Sequence, residues 1–471
     1  MRPKIDLQVE LAFPISGLAL TQAYYARYQA ISRILDETPD LVALAHRDLE
    51  HALEQLDRST PAAQKRARYT SDNVLRMVLV QVIEGLSLRE TVVRIDDSPG
   101  LRQFTRLHRK PMMDFTTLCK LRNAILPETW RQINRRLARQ AVRSERITGE
   151  ALRLDTTAVE TNIHWPTDSS LLWDSYRVLA RWIEQARELD PALVGSGRLH
   201  PRRAKREALA IARKAAKRRQ NAESLKPLYR SLLGRVEGIC EWALHITTAL
   251  ERRMQSGRYS GWATATAQVL REELGAAEAL ARRVVDQARR RVLCGESVPN
   301  DEKLFSLVEP HTELLKRGKA GKEIEFGHMI QIQQVTEKFI TDYDVYEKKP
   351  VEHALIEPAL ASHRALFGCD PSQLTADKGY YESMEALRRL EQRIDVVSIA
   401  KKGGRTAVEQ DREHEPLFRH AQAWRAGIEG SISFLKRVLR LGRCFSKGWK
   451  HFQATVGTTI FAHNLIVLAR T

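Results

Sequence analysis

The fold of this protein is decided by residues 151–159, which read ALRLDTTAV. Leu152 and Leu154 alternate with polar side chains at the odd positions, a period of two that predicts a β-strand. Threonine and valine favour the same conformation. An ionised carboxylate inside a buriable strand costs free energy unless it is paired or bound to a cation. Asp155 is therefore the first candidate functional residue.

The chain after residue 321 predicts two strands in an antiparallel hairpin and then a regular alternation of helices and strands. The predicted ranges are 328–335, 339–345, 352–367, 373–377, 382–392, 395–400 and 421–441. Together with the strand at 151–159, they give the order βββαβαβα. This order predicts an α/β fold with a mixed sheet.

The first 145 residues predict a helical N-terminal region for DNA binding or dimerisation. A helix opened by Ser71 or Asp72 is followed by Gly85, and residues 87–90 read as a capping box that starts a second helix. Residues 72–95 therefore fit a helix-turn-helix. An ordinary helical hairpin inside a core has the same pattern, and both interpretations stay open.

Residues 165–321 predict a helical insertion after the first strand. Residues 198–219 hold ten Lys or Arg against the single acid Glu207, a local charge of +9. A helix of this charge suits a phosphate backbone, whereas a solvated basic arm is the alternative. The predicted DNA contacts in this run are Arg202, Arg203, Lys217 and Arg218.

The composition of the 471 residues indicates an ordinary folded protein with an anionic partner. Lys and Arg total 76 against 58 acids, a net charge of +18, which favours nucleic acid as the partner. The five cysteines form no CxxC pair, so neither a zinc site nor a disulfide framework is expected. The most apolar late stretch, 455–468, is too short to span a membrane. These features predict a cytoplasmic protein associated with the nucleoid.

Two further acids, Asp377 and Glu429, are candidate functional residues. Asp377 falls where a predicted strand ends, and Glu429 lies on the last predicted helix. Reactive groups gather at strand carboxyl ends in open α/β sheets, and converging carboxylates favour a bound cation such as Mg²⁺. Gly427 and Gly430 flank Glu429, and each costs about 1 kcal/mol inside a helix. A close backbone approach is the expected reason for both glycines.

Several blocks of the sequence resemble bacterial insertion-sequence transposases with an RNase H-like DDE core, of the branch typed ISNCY. The resemblance extends from about residue 69 to the C-terminus. It rests on residues 154–172, 309–312, 319–322, 375–380 and 425–436, in this order.

The resemblance implies a role for each matching residue. Asp155, Asp377 and Glu429 would bind two catalytic Mg²⁺ or Mn²⁺ ions, and Arg425 and Lys436 would hold the DNA of the transposon end. This chain has Gln422 where the family has tyrosine, so we expect the nearby Trp424 to supply a stacking contact instead. The implied reaction cleaves DNA at the transposon ends and joins the 3′-OH to target DNA.

Three alternatives remain open from sequence alone: a metal-dependent nuclease, a non-catalytic DNA-binding protein derived from a transposase, and an RNA-binding helical protein. The predicted domains are 1–145, a catalytic core of 146–164 with 322–471, and the insertion 165–321. The predicted partner is double-stranded DNA, as inverted repeats and as target. A homodimer is expected by analogy, because two ends must be cut together.

Overall fold

The computed structural model describes Lys4 and residues 17–57, 59–216, 222–319 and 322–470. Two of the predicted DNA contacts, Lys217 and Arg218, lie outside the described residues. The chain divides into two compact units, Met1–Thr161 with Gly327–Thr471, and Asn162–Phe326. Across the described ranges, no helix is both long and apolar enough to cross a membrane.

The first unit begins with helices, as predicted. Its described residues before the sheet form α1 (Ala19–Glu37), α2 (Asp40–Glu54), α3 (Pro61–Ala67), α4 (Ser71–Ile83), α5 (Leu88–Asp97), α6 (Pro99–Phe104), α7 (Phe115–Ala124) and α8 (Pro127–Arg143). Helix α4 is buried along its whole length and is capped by Thr70, not by Ser71 or Asp72 as predicted. The predicted capping box, Ser87 with Glu90, opens α5. A DNA-reading role for α4 and α5 stays a prediction.

The sheet is mixed, as predicted. Its strands are β1 (Ala151–Thr161), β2 (Glu313–Lys319), β3 (Lys322–Gln334), β4 (Ile340–Val345), β5 (Gln373–Ala376), β6 (Val396–Ser398) and β7 (Arg443–Cys444). The order is β2-β3-β1-β5-β6, while β4 pairs with β3 and β7 pairs with β1. Strand β3 is antiparallel to β1 and β4, whereas β5 and β7 run parallel to β1. The prediction missed β2 and β7. Strand β2 lacks a strict alternation of apolar and polar residues, and the two residues of β7 are too few to show a period.

The second unit contains the whole range of the predicted insertion, residues 165–321, and has its own apolar core. Its helices are α9 (Asp168–Leu189), α10 (Pro191–Val194), α11 (Pro201–Ala215), α12 (Lys226–Gln255) and α13 (Trp262–Ala288). Six of the ten basic residues of the run lie on α11, which buries Ala204, Ala208 and Ile211. Arg202 and Arg203 are on the exposed side of this helix.

The remaining helices of the first unit are α14 (Ile356–Phe367), α15 (Met384–Glu391), α16 (Ala407–His414), α17 (Pro416–Arg437) and α18 (Trp449–Leu468). Helix α17 runs from 416 to 437 rather than from 421 to 441. The elements β2, β7, α16 and α18 were not predicted. When they are left out, β1 and the elements after the insertion follow the predicted order βββαβαβα.

Helix α18 belongs to the centre of the first unit. Phe461 and Leu465 are fully buried in a core shared with the N-terminal helices and β4. The Asn464 side chain extends the backbone pairing of β4, because it accepts from Ile340 N at 2.9 Å and donates to Ile340 O at 2.8 Å. In the same helix, Gly457 O accepts a 2.9 Å hydrogen bond from the Asn134 amide of α8.

Candidate active site

Two of the predicted acids occupy neighbouring positions on parallel strands. Leu154 of β1 and Ala376 of β5 form the last pair of their ladder. The next residue on each strand is an aspartate, Asp155 on β1 and Asp377 after β5. Because adjacent strands lie about 4.8 Å apart, this register brings two acids from distant parts of the chain close together.

One side of β1 has no partner strand at this point in the described chain. Strand β5 pairs with β1 as far as Leu154, and β7 pairs with it again at Glu160 and Thr161. Among the described strands, residues 155–159 pair only with β3, on the opposite side. Asp155 and Asp377 therefore border a stretch of β1 that has no partner strand, within the described ranges, on the side of β5.

The third predicted acid, Glu429, contacts Arg425 of α17, and Arg425 also contacts Asp155. Arg425 Nη1 lies 3.8 Å from Asp155 Oδ2, and Arg425 Nη2 lies 3.6 Å from Glu429 Oε1. The Glu429 side chain is 69 % exposed, whereas that of Asp155 is 13 % exposed. One guanidinium thus lies between a buried and an exposed carboxylate. Lys436, further along the same helix, is half-buried.

The surroundings of Asp155 favour its protonated form. Burial and then the charge of Asp377 raise the pKa of Asp155 to about 7, with a smaller contribution from Glu352. The Arg425 guanidinium and the Thr156 backbone N–H act in the opposite direction. Burial and the Asp377 charge together outweigh the effect of Arg425.

Gln422 attaches α17 to the strand ends. Its amide donates a 2.7 Å hydrogen bond to Ser398 O of β6 and a 3.4 Å one to Ala376 O of β5. The Arg425 guanidinium donates to the Gln422 carbonyl at 3.3 Å. The residue at the family's tyrosine position thus orients the helix and the arginine that faces the acids.

A buried arginine fixes the other side of α17. Arg153 donates to Gln334 Oε1 of β3 at 2.9 and 2.6 Å and to Trp424 O at 2.7 Å. Its guanidinium carbon lies 4.6 Å from the centre of the Trp424 ring, a cation–π contact. One face of the ring predicted to stack on DNA is therefore covered by Arg153.

The same arginine explains one of the two helix glycines. A Cβ on Gly427 would lie 2.5 Å from Arg153 Nη1, so the predicted close approach is present at this residue. A Cβ on Gly430 would meet no atom within 4 Å. The prediction of a close approach at Gly430 is wrong, because the helix faces open space there.

We expect Gly427→Ala to lower the free energy of unfolding by about 1–2 kcal/mol, because overpacking against a hydrogen-bonded arginine outweighs the better helix propensity of alanine. Gly430→Ala is the matched control and should raise it by up to about 1 kcal/mol. Urea denaturation of both variants measures the difference. Equal stabilisation by the two substitutions would contradict the assigned contact.

Sequence reasoning missed one acid of this region, Glu352. It starts a 3₁₀ turn that leads into α14, and its Oε1 accepts a 2.5 Å hydrogen bond from Thr156 Oγ1. Strand β4 runs parallel to β1, so its carboxyl end lies at the same edge of the sheet as the end of β5. The location of Glu352 after β4 could therefore have indicated that it belongs to the site. However, acids are common in the first turn of a helix because they interact favourably with the helix dipole.

The residues of the site fit divalent cations by their donor chemistry. Asp155 and Asp377 offer carboxylate oxygens, the ligands that Mg²⁺ and Mn²⁺ prefer. Within the part of the chain that the structure describes, no three His, Cys, Asp or Glu side chains are already arranged to hold a metal ion. Glu429 would have to leave Arg425 to complete such a set.

Comparison with known proteins gives one family match. Residues 300–465 match the family model described as "Transposase DDE domain". The matched range includes Asp377 and Glu429 and begins after Asp155. No curated protein and no solved structure matches the chain. The match supports the predicted RNase H-like fold class, while the ISNCY branch stays a prediction.

Proposed function

We propose that this chain, whose residues 300–465 match a transposase DDE domain, is an insertion-sequence transposase that cleaves DNA at the ends of its element and joins them to target DNA by metal-dependent phosphoryl transfer. Asp155, Asp377 and Glu429 are the proposed metal ligands. The observation that carries the proposal is the register that makes Asp155 and Asp377 neighbours where the pairing of β1 with β5 ends.

In the proposed mechanism, the protein supplies ligands, orientation and charge. When bound, two Mg²⁺ or Mn²⁺ ions supply an activated nucleophile and stabilise charge on the leaving oxygen. Asp155 and Asp377 hold their carboxylates in a fixed register, and Gln422 orients Arg425. The Arg425 guanidinium, which contacts Asp155 and Glu429 in this structure, is proposed to bind a DNA phosphate. Lys436 is proposed as a second phosphate contact, and the exposed face of Trp424 as a stacking surface.

We propose a separate DNA contact on the second unit, the basic face of α11. Arg202 and Arg203 are exposed there, next to the buried Ala204. We extend the surface to Lys217 and Arg218, which continue the basic run in the sequence.

Replacing both Arg202 and Arg203 by alanine should weaken DNA binding and lower the magnitude of its salt slope by about 2, because each lost phosphate contact removes about one unit. Fluorescence anisotropy at several salt concentrations measures the slope. The control variant replaces Arg252 and Arg283, exposed arginines of α12 and α13 outside the basic run. Equal losses in both double variants would show that overall charge, rather than this face, determines affinity.

The decisive experiment incubates the protein and Mg²⁺ with DNA that carries the inverted repeats flanking its own gene. The proposal requires cleavage at the repeat ends and, with pre-cleaved ends and a target plasmid, joined products. Cleavage without joining would indicate a metal-dependent nuclease, and binding without cleavage a non-catalytic DNA-binding protein. A homodimer that holds both ends is part of the proposal, and light scattering of the DNA complex tests it.

A further inference from the structure

Glu352 connects the two chain segments that carry the neighbouring aspartates. Its Oε1 accepts the hydrogen bond from Thr156, the residue after Asp155. Its Oε2 lies against Gly379, two residues after Asp377, so closely that a methyl group on Gly379 would overlap it. Gly379 N in turn donates a 2.9 Å hydrogen bond to Asp377 Oδ1.

Glu352 approaches β1 from the face opposite to Asp155. Successive side chains of a strand point to opposite faces. Leu152 and Leu154, which share the orientation of Thr156, lie in the apolar core with Ile356 and Tyr380. The hydroxyl of Thr156 therefore anchors Glu352 behind the strand, while Asp155 faces Arg425 on α17.

The contact with Glu352 explains why residue 379 is a glycine. The backbone of Gly379 has no left-handed conformation, so its φ angle does not require glycine. What requires it is space for the Glu352 carboxylate. A larger residue would push that carboxylate away and break its hydrogen bond with Thr156.

We propose that Glu352 is a positioning residue that fixes the spacing between Asp155 and Asp377 by bridging Thr156 and Gly379. This inference rests on the proposed metal-binding role of the two aspartates. Its action is geometric, because a neutral side chain of the same shape can accept the same hydrogen bond. It differs in this respect from a metal ligand, for which the negative charge is essential.

The first test measures Mn²⁺ binding by calorimetry, with thermal melting as the control for folding. Glu352→Ala and Thr156→Val should each weaken Mn²⁺ affinity about 10-fold or more, the range found for residues that orient metal ligands. The double variant should be no weaker than either single one. Glu352→Gln should recover most of the affinity lost in Glu352→Ala. Glu357→Ala, an exposed acid one turn further along, is the matched control.

Two results would overturn the proposal. Equal losses in Glu352→Gln and Glu352→Ala would make the charge essential and assign a direct ligand, whereas unchanged affinity in Glu352→Ala would remove any role. Mn²⁺ binding by a wild-type protein that cuts no DNA would refute the proposed function alone. Absence of Mn²⁺ binding by the wild type would refute both.

A second variant keeps the test independent of the stability of Glu352→Ala. Gly379→Ala should weaken Mn²⁺ affinity in the wild-type background, because the added methyl displaces the Glu352 carboxylate. In the Glu352→Ala background the same substitution should have a smaller effect, since the overlapping oxygen is absent. Equal effects of Gly379→Ala in the two backgrounds would show that Glu352 is not the reason for the glycine.

Discussion

Asp377→Asn is expected to reduce DNA cleavage by about three orders of magnitude, while DNA binding and folding stay intact. Loss of a metal-held charge costs several kcal/mol of transition-state stabilisation, and about 1.4 kcal/mol corresponds to a factor of ten. Asparagine keeps the shape of the side chain and an oxygen that accepts from Gly379 N. Single-turnover cleavage of a labelled transposon end measures the rate, and anisotropy measures binding.

The control for Asp377→Asn is Glu385→Gln on α15, an acid whose side chain is 83 % exposed. This variant should cleave at the wild-type rate. A cleavage rate of Asp377→Asn within tenfold of the wild type would remove Asp377 from the active site and the proposed mechanism with it.

Asp155→Asn is expected to stabilise the metal-free protein at pH 8 although it abolishes cleavage. Burial and the Asp377 charge raise the pKa of Asp155 to about 7, above the ordinary value of 3.8. The unfolded chain therefore loses this proton at lower pH than the folded chain, and the free energy of unfolding falls as pH rises from about 4 to about 7. The pKa difference corresponds to at most about 4 kcal/mol, which the neutral asparagine would recover.

Denaturation of wild type and Asp155→Asn in EDTA at pH 4 and pH 8 measures this effect. The charges that act on Asp155 are those of Asp377, Arg425 and Glu352, and the substitution also removes the contact between Asp155 and Arg425. The stability difference should be small at pH 4, close to the ordinary aspartate pKa of 3.8, where little of the pH-linked destabilisation has developed. A difference that is the same at both pH values would contradict the raised pKa.

Mn²⁺ affinity of the wild type should increase with pH up to about 7 and then level off, because metal competes with a proton.

The sequence was sufficient to predict the elements that carry the acids, for physical reasons that differ between them. The alternation around Asp155 fixes a strand, and the short apolar run before Asp377 fixes another. The parallel register of these two strands follows from the order of the elements in the fold, and no local sequence pattern indicates it. Glu429 was predicted on a helix, but its ion pair with Arg425 depends on the side-chain conformation in the absence of a cation.

The residues that connect these elements were harder to predict. Glu352 acts through Thr156 and Gly379, and nothing in the sequence near Glu352 indicates those contacts. Arg153 was interpreted as one polar position of a strand, whereas the structure buries it as the support of α17. Gly427 and Gly430 look equivalent in sequence, and only the position of Arg153 distinguishes them.

The central position of α18 has a consequence for protein synthesis. Phe461, Leu465 and Asn464 complete a core to which the N-terminal helices, made much earlier, contribute many residues. A chain still on the ribosome, or one shortened by a premature stop codon before residue 449, lacks this helix and exposes the apolar surface that it covers. We therefore expect that an incomplete chain is removed by proteolysis before it can cut the genome that encodes it.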